Sequence, residues 1–204
     1  VLPGQGHSGL SFRQGQPKFP DKPPDTLFPE SCKSCEALPS VTIPKSVATI
    51  ANDAFGSCTS LAEFAVDAEN ETYCAIDKIL YSKDKSTLIM CPTALAGSVT
   101  VATGATTIGN GAFSGCKQIT SVTVPSTVTT IGEDAFDGCE ALTTVNLSEG
   151  LLSIGEHAFD NAGITAITVP NSVTSIGDNA FYYCLSLETV KIGSGVATLG
   201  VSPF

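Results

Sequence analysis

Apolar residues follow short periodic patterns along most of the chain. In residues 142–147, LTTVNL, apolar and polar positions alternate, which predicts a short β-strand with one buried face. In residues 127–132, TVTTIG, a second short extended run ends at a glycine that turns the chain. Residues 133–139, EDAFDGC, then predict about two turns of helix, with acids in the first turn, where the helix dipole favours them.

These elements recur as the repeat A-F-x-x-C-x-x-L-x-x-V-x-[IV]-P, and the proline ends the strand because it cannot continue a ladder. A truncated copy, with Cys32 in place of the phenylalanine, precedes five others. Their phenylalanines are Phe55, Phe113, Phe136, Phe159 and Phe181, the last four separated by 23, 23 and 22 residues. One copy cannot bury its own apolar face, so we expect the copies to stack, with the five rings in one core.

A period of this length with this leucine and valine spacing is typical of a leucine-rich repeat solenoid. The pattern I-G-x-x-A-F-x-x-C-x-x-L-x-x-[VI]-x-[IL]-P resembles the BspA-like leucine-rich repeat family over residues 32–204. The resemblance implies one array of short parallel strands with a short helical or irregular convex side. It also implies protein binding or adhesion, in general outside the cell and without catalysis.

Residues 67–102 interrupt the period and resemble the long insert that recurs in this family. Residues 78–82 and 87–91, KILYS and TLIMC, flank a turn and predict a β-hairpin. Cys74 and Cys91 flank the hairpin, and we consider a disulfide between them, which would indicate an oxidising compartment.

Residues 1–31 differ from the array because they are rich in proline and glycine and have no period. Phe12, Phe19 and Phe28 are their candidate contacts with a partner. This arm, together with a C-terminus that stops partway into a repeat, supports an alternative function. The chain would then be a structural subunit held within a larger multiprotein assembly.

Composition restricts the partner and the chemistry. The formal net charge of −10 argues against nucleic acid and against an anionic membrane surface. No apolar run approaches the ~18 residues of a membrane span. His7 and His157 belong to no catalytic motif, and the single C-x-x-C at residues 32–35 lacks the second pair that a zinc site needs. We therefore predict a partner protein, no enzyme activity, no cofactor and no metal.

Five cysteines occupy one position of the repeat. We expect them to be small buried thiols, because in-register side chains point the same way and Ala162 replaces the thiol in one copy. These cysteines are Cys35, Cys58, Cys116, Cys139 and Cys184.

Two sets of residues are candidates for binding the partner. The outward positions of the predicted strands include Thr123, Asn146, Thr168 and Lys191. The second set is the pair Tyr182 and Tyr183, at positions that hold polar or small residues in every other copy. This pair forms either a contact patch or a cover for the end of the array.

Asn70, in the sequence N-E-T, fits a glycosylation sequon and lies in the insert, where it could carry a glycan. A glycan there, like a disulfide, would agree with an extracellular or cell-surface location. The alternative location, for an assembly subunit, is lumenal or organellar.

Overall fold

The computed structural model describes residues 35–204, and within them fifteen short strands form a solenoid of about 7 turns without a helix. The strands are β1 (Ser40–Ile43), β2 (Glu63–Val66), β3 (Tyr73–Ile76), β4 (Ile79–Ser82), β5 (Thr87–Met90), β6 (Gly97–Thr100), β7 (Thr107–Ile108), β8 (Ile119–Thr123), β9 (Thr130–Ile131), β10 (Thr144–Asn146), β11 (Ser153–Ile154), β12 (Ala166–Val169), β13 (Ser175–Ile176), β14 (Thr189–Ile192) and β15 (Thr198–Leu199). The leucine-rich repeat fold is as predicted.

Each repeat after the insert contributes one strand to each of two rows, in which the strands of neighbouring repeats run parallel. The first row contains the pairs β1–β2 and β12–β14 and the sheet β6–β8–β10. The second row is one eight-stranded sheet in the order β15-β13-β11-β9-β7-β5-β4-β3. Equivalent positions of neighbouring copies pair directly, as Val145 pairs with Val122 and Ile154 with Ile131. This register places every inward side chain against its counterpart in the next coil.

The predicted helix at residues 133–139 is wrong, because the segment is a series of turns. Asp134 has a φ of 53° and Gly138 one of 66°, which a helix cannot contain. The backbone N–H groups of Asp134 and Phe136 donate to the next coil, to the carbonyls of Glu156 at 3.0 Å and Ala158 at 2.7 Å. A helix would direct these donors to its own chain, so stacking replaces helical hydrogen bonding.

The insert forms the predicted hairpin, β4–β5, and adds β3 as a third antiparallel strand. Its last strand, β5, pairs in parallel with β7 and so joins the second row. Strand β4 is buried on both faces: Leu80 packs into one hydrophobic cluster, whereas Ile79 and Tyr81 pack into another. The insert therefore separates two hydrophobic clusters and contributes side chains to both.

The larger cluster, here called the main core, runs from the insert to Phe181 and contains a column of stacked phenylalanine rings. Neighbouring ring centroids are 4.8 to 5.1 Å apart and nearly parallel. The column comprises Phe113, Phe136, Phe159, Phe181 and Phe204. The sequence prediction missed Phe204, whose preceding residues, L-G-V-S-P, replace the I-G-x-x-A of the other copies.

The smaller cluster, here called the N-terminal cluster, holds Phe55, which we predicted to stack with the other rings. Phe55 instead meets Phe64 edge-on, with ring centroids 5.5 Å apart and an angle of 67°. The physical reason is the insert, which brings Leu80 and Met90 into this cluster as neighbours of the first two coils.

Candidate protein-binding surface

The first row of strands presents small side chains to solvent. Thr123 pairs with Asn146, and Thr168 with Lys191, so the four predicted positions lie along one line of exposed residues. The hydroxyls of Ser121 and Ser98 bond at 2.8 Å on the neighbouring line. This strand face offers shallow polar contacts and few charges.

A second surface, here called the turn face, follows each phenylalanine. Backbone hydrogen bonds hold its coils in register: the N–H of Gly138 donates to Asp160 at 2.9 Å, and that of Asn161 to Tyr182 at 2.9 Å. Side chains of equivalent positions therefore line up in columns across the coils. One column contains Ser114, Asp137, Asp160 and Tyr182; the next contains Gly115, Gly138, Asn161 and Tyr183; a third contains Lys117, Glu140, Gly163 and Leu185.

The last members of these columns form an exposed apolar group, here called the aromatic patch: Tyr182, Tyr183 and Leu185. They are 41%, 58% and 86% exposed, and the two tyrosine rings meet edge-on with centroids 4.4 Å apart. In coils that have neighbours on both sides, Asn161 and Glu140 of these columns are exposed, whereas Asp137 and Asp160 are half-buried. The patch therefore combines residue types that differ from those of the other coils with a greater exposure of Tyr182.

Tyr183 adopts a left-handed backbone conformation, with a φ of 50°. In the same column Gly115, Gly138 and Asn161 have φ values of 71°, 66° and 51°, which glycine and asparagine tolerate. A bulky residue there costs roughly 1 kcal/mol or more. The fold therefore carries strain at a position where other copies avoid it.

Acidic side chains dominate the turn face beside this patch. Burial, followed by the charge of Asp160, raises the pKa of Asp137. Nδ1 of His157 lies 2.9 Å from the Asp160 carboxylate, and this hydrogen bond raises the pKa of the imidazole. The surface thus has a negative field.

Where the insert interrupts the array, a cavity of about 380 Å³ opens on the same side of the molecule. Phe55, Leu61 and Met90 line its apolar part, and Asp134 and Asp137 its polar part. Among residues 35–204, no group of three or more histidine, cysteine, aspartate or glutamate side chains is placed to hold a metal ion.

Of the five repeat cysteines predicted to be buried, Cys58, Cys116 and Cys139 are fully buried, whereas Cys35 and Cys184 are only partly buried. They stabilise the stack through backbone carbonyls: Sγ of Cys139 bonds to the Phe113 carbonyl at 3.1 Å, and Sγ of Cys184 to that of Phe159 at 3.0 Å. Burial raises the pKa of Cys184 to about 11, so this thiol is unreactive at neutral pH.

The predicted Cys74–Cys91 disulfide is not formed, and both cysteines are free thiols. Cys74 lies on β3 and Cys91 directly follows β5, with β4 between these strands. Two strand spacings separate the backbones by roughly 9.5 Å, more than the ~7 Å that a disulfide spans. Sγ of Cys74 bonds instead to the Ser82 carbonyl at 3.2 Å.

The predicted glycan at Asn70 does not fit the fold, because the side chain is 0% exposed. Its Nδ2 donates to the carbonyls of Pro44 at 2.8 Å and Val47 at 3.0 Å. Its Oδ1 accepts from the N–H groups of Thr72 and Tyr73. Asn70 therefore joins the insert to the first coil.

The remaining candidates, Phe12, Phe19 and Phe28, lie outside the described residues. Within the described part of the chain, no helix is long and apolar enough to cross a membrane. The sequence analysis missed Leu185, although its signal was present: the equivalent position holds Lys117 and Glu140.

Comparison with known proteins identifies the repeat. The BspA type leucine rich repeat region matches residues 26–96 and 95–204, in 6 copies. Among curated proteins, none matches the chain.

Three solved structures are similar to the chain. The pneumococcal vaccine antigen PcpA shares 26% identity and a TM-score of 0.74, over 80% of this chain and 42% of its own. A leucine-rich repeat protein from Eubacterium ventriosum shares 26% identity and a TM-score of 0.67, over 82% and 52%. A leucine rich cell surface protein from Faecalibacterium prausnitzii shares 28% identity and a TM-score of 0.63, over 76% and 48%. The chain thus spans about half the length of these proteins.

Proposed function

The chain belongs to the BspA-type leucine-rich repeat family, and from this premise we propose that it is a non-catalytic adhesion module that binds another protein through its aromatic patch. In general, leucine-rich repeats of this family support protein interaction or adhesion, and the family is typically non-catalytic. The aromatic patch supplies the contact that this function requires.

The observation that carries the proposal is the replacement of polar residues and glycines by the exposed Tyr182, Tyr183 and Leu185 at equivalent positions of the repeat. Tyrosine is enriched at the energetic centres of protein interfaces because it buries a large rigid area and keeps a hydroxyl for hydrogen bonding. The left-handed Tyr183 supports the same conclusion, since strained conformations cluster at binding sites.

The similarity to a cell surface protein and to a vaccine antigen supports an extracellular or cell-surface location. Neither the thiols of Cys74 and Cys91 nor the buried Asn70 contributes to this argument. Labelling of intact source cells with an antibody against the purified chain tests the location. Labelling only after permeabilisation would contradict it.

The test of function measures binding of the purified chain to a panel of immobilised extracellular-matrix and cell-surface proteins. The double variant Tyr182→Ser, Tyr183→Ser should lose at least about 2 kcal/mol of binding free energy to any panel protein that binds saturably. Its melting temperature should change little, because both side chains are exposed.

The control variant, Thr123→Arg and Thr168→Arg, changes the strand face instead. It should retain binding if the aromatic patch is the contact surface. Loss of binding in this control, with full binding by the tyrosine variant, would contradict the proposal and identify the strand face as the site.

The alternative function, a structural subunit within an assembly, depended on an uncapped C-terminal end and on the arm at residues 1–31. That segment lies outside the described residues, so the alternative stays a prediction.

A further inference from the structure

We propose that the aromatic patch recognises a basic segment of the partner protein, with an arginine side chain packed on the tyrosine rings and further cations facing Asp160 and Asp137. This inference deepens the proposed function and rests on it. It names the chemistry of the partner rather than a particular protein.

The patch itself favours a flat cation. The rings of Tyr182 and Tyr183 stand edge-on at an angle of 81°, so one ring face remains open beside the edge of the other. A guanidinium group packs on an aromatic face through cation–π attraction and its planar shape, more readily than an ammonium group does. The exposed Leu185 gives the aliphatic part of an arginine side chain an apolar surface to cover.

The neighbouring column supplies the charge complementarity. Asp160 occupies the position of Tyr182 in the preceding coil, and Asp137 occupies it in the coil before that. In the described part of the chain, the ion pairs formed by lysine join Lys45 to Glu69, Lys78 to Glu63 and Lys117 to Glu140. None of them neutralises Asp137 or Asp160: Asp160 has His157 as its partner at 2.9 Å, and Asp137 accepts from the Ser114 hydroxyl at 3.4 Å.

The two carboxylates also repel one another: burial first, and then the charge of Asp160, raises the pKa of Asp137. A cation placed over both would relieve this repulsion and would face partly buried groups, where screening by solvent is weaker than at a fully exposed site. The groups close to them include His157, which already bonds to Asp160, Ser114, which donates to Asp137, and the carboxylate of Asp134.

The spacing of the coils fits an extended segment. Successive rings of the main core lie about 5 Å apart, which measures the advance of one coil. An extended peptide advances about 3.3 Å per residue, so about four residues reach from Asp137 to Tyr182. Side chains at alternate positions of such a segment point to the same side and can meet both the carboxylates and the rings.

A direct test uses three synthetic peptides with blocked ends and the same glycine and serine background. They carry arginine, lysine or glutamate at alternate positions, and their binding to the whole chain is measured by calorimetry at near-physiological salt. We expect the arginine peptide to bind more tightly than the lysine peptide, and the glutamate peptide to show no binding.

Matched variants separate local recognition from general acidity. The double variant Asp137→Asn, Asp160→Asn should weaken arginine-peptide binding about tenfold. The control, Glu36→Gln with Glu71→Gln, removes the same charge near the first coils of the array. It should weaken this binding less than about twofold. Tyr182→Ser with Tyr183→Ser should reduce arginine-peptide binding more than lysine-peptide binding.

Two results would overturn the inference: equal weakening by the two charge variants, or no difference between the arginine and lysine peptides. A different result would contradict the proposed function: full binding of the Tyr182→Ser, Tyr183→Ser variant to a panel protein that also binds the unmodified chain. A patch that binds a panel protein but not the arginine peptide would disprove only the basic partner.

Discussion

In the main core, each phenylalanine ring stacks on the ring of the next coil, whereas in the N-terminal cluster Phe55 meets Phe64 edge-on. Both regions contain the same A-F-x-x-C motif. They differ because Phe136 has a copy of its own repeat on each side, while the coil of Phe55 has the insert beside it. The contacts of a repeat residue therefore depend on its neighbours as much as on its motif.

The backbone shows the same contrast. In the main core, N–H groups of each turn segment donate to carbonyls of the following coil. The first such bond runs from Gly111 to Glu133 and the last from Phe181 to Pro203. The bonds inside the turn are the same in both regions, since the bond from Gly56 to Asp53 has its counterpart in that from Asp137 to Asp134, but after Phe55 the insert follows in place of the next coil. We expect the two regions to respond separately to mutation.

The largest effect should come from Phe136→Ala, which removes a ring stacked on both faces. We expect a loss of about 4 to 5 kcal/mol in the free energy of unfolding, against about 3 kcal/mol for Phe55→Ala, measured by urea denaturation. Hydrogen exchange should locate the loss of protection after residue 100 in the first variant and before residue 70 in the second. Loss of protection across the whole chain in both variants would mean that the two cores unfold as one.

A second prediction concerns the polar junction of the N-terminal cluster. Asn70→Ala leaves the carbonyls of Pro44 and Val47 and two N–H groups without their partner, and should cost about 3 kcal/mol. Hydrogen exchange should increase in β1–β3 while the main core stays protected. Unchanged stability would contradict the role of Asn70 as the connection between the insert and the first coil.

Replacing a glycine tests how tightly the coils are packed. A Cβ added at Gly155 would lie 2.6 Å from the backbone of Gly132, so Gly155→Ala should cost about 2 kcal/mol. The control is Gly56→Ala in the N-terminal cluster, where the nearest atom is 3.6 Å away, and it should change stability by less than about 0.5 kcal/mol. Equal melting temperatures of the two variants would contradict the difference in packing.

The smallest effect concerns His157, whose pKa is raised first by its hydrogen bond to Asp160. A group with a raised pKa in the folded state stabilises the protein below its unfolded pKa of about 6.5, and this contribution disappears as the pH rises through the folded value. His157→Gln should therefore lower the free energy of unfolding by well under ~1 kcal/mol at about pH 5. In alkaline solution the substitution should not change it. The measurement is the melting temperature of both proteins across this range; a difference that grows with pH would contradict the assignment.

The sequence predicted the part of the fold that depends on periodicity. The spacing of Phe113, Phe136 and Phe159 indicated stacked coils, and alternation in residues 142–147 indicated the strand β10. The error at residues 133–139 has a clear origin. Acids in a first turn are a local signal, but the N–H groups of these turns donate to the next coil, which local patterns do not reveal.

The candidate site was predicted in part. Comparison of equivalent positions indicated Tyr182 and Tyr183 as unusual, and the same comparison would have indicated Leu185. Their surroundings could not be predicted, because Asp160 becomes a neighbour of Tyr182 only when successive coils align. The glycosylation sequon at Asn70 misled for a related reason: a three-residue motif contains no information about burial.

By itself, the sequence determined the repeat and its inward residues, because periodicity is a property of the chain alone. The tertiary structure decided where the stack is interrupted. Strand β4 carries apolar side chains on both faces, so it can complete two cores at once, and it thereby separates Phe55 from the column of rings. Such a division depends on which surfaces meet, and residues far apart along the chain meet only when it folds.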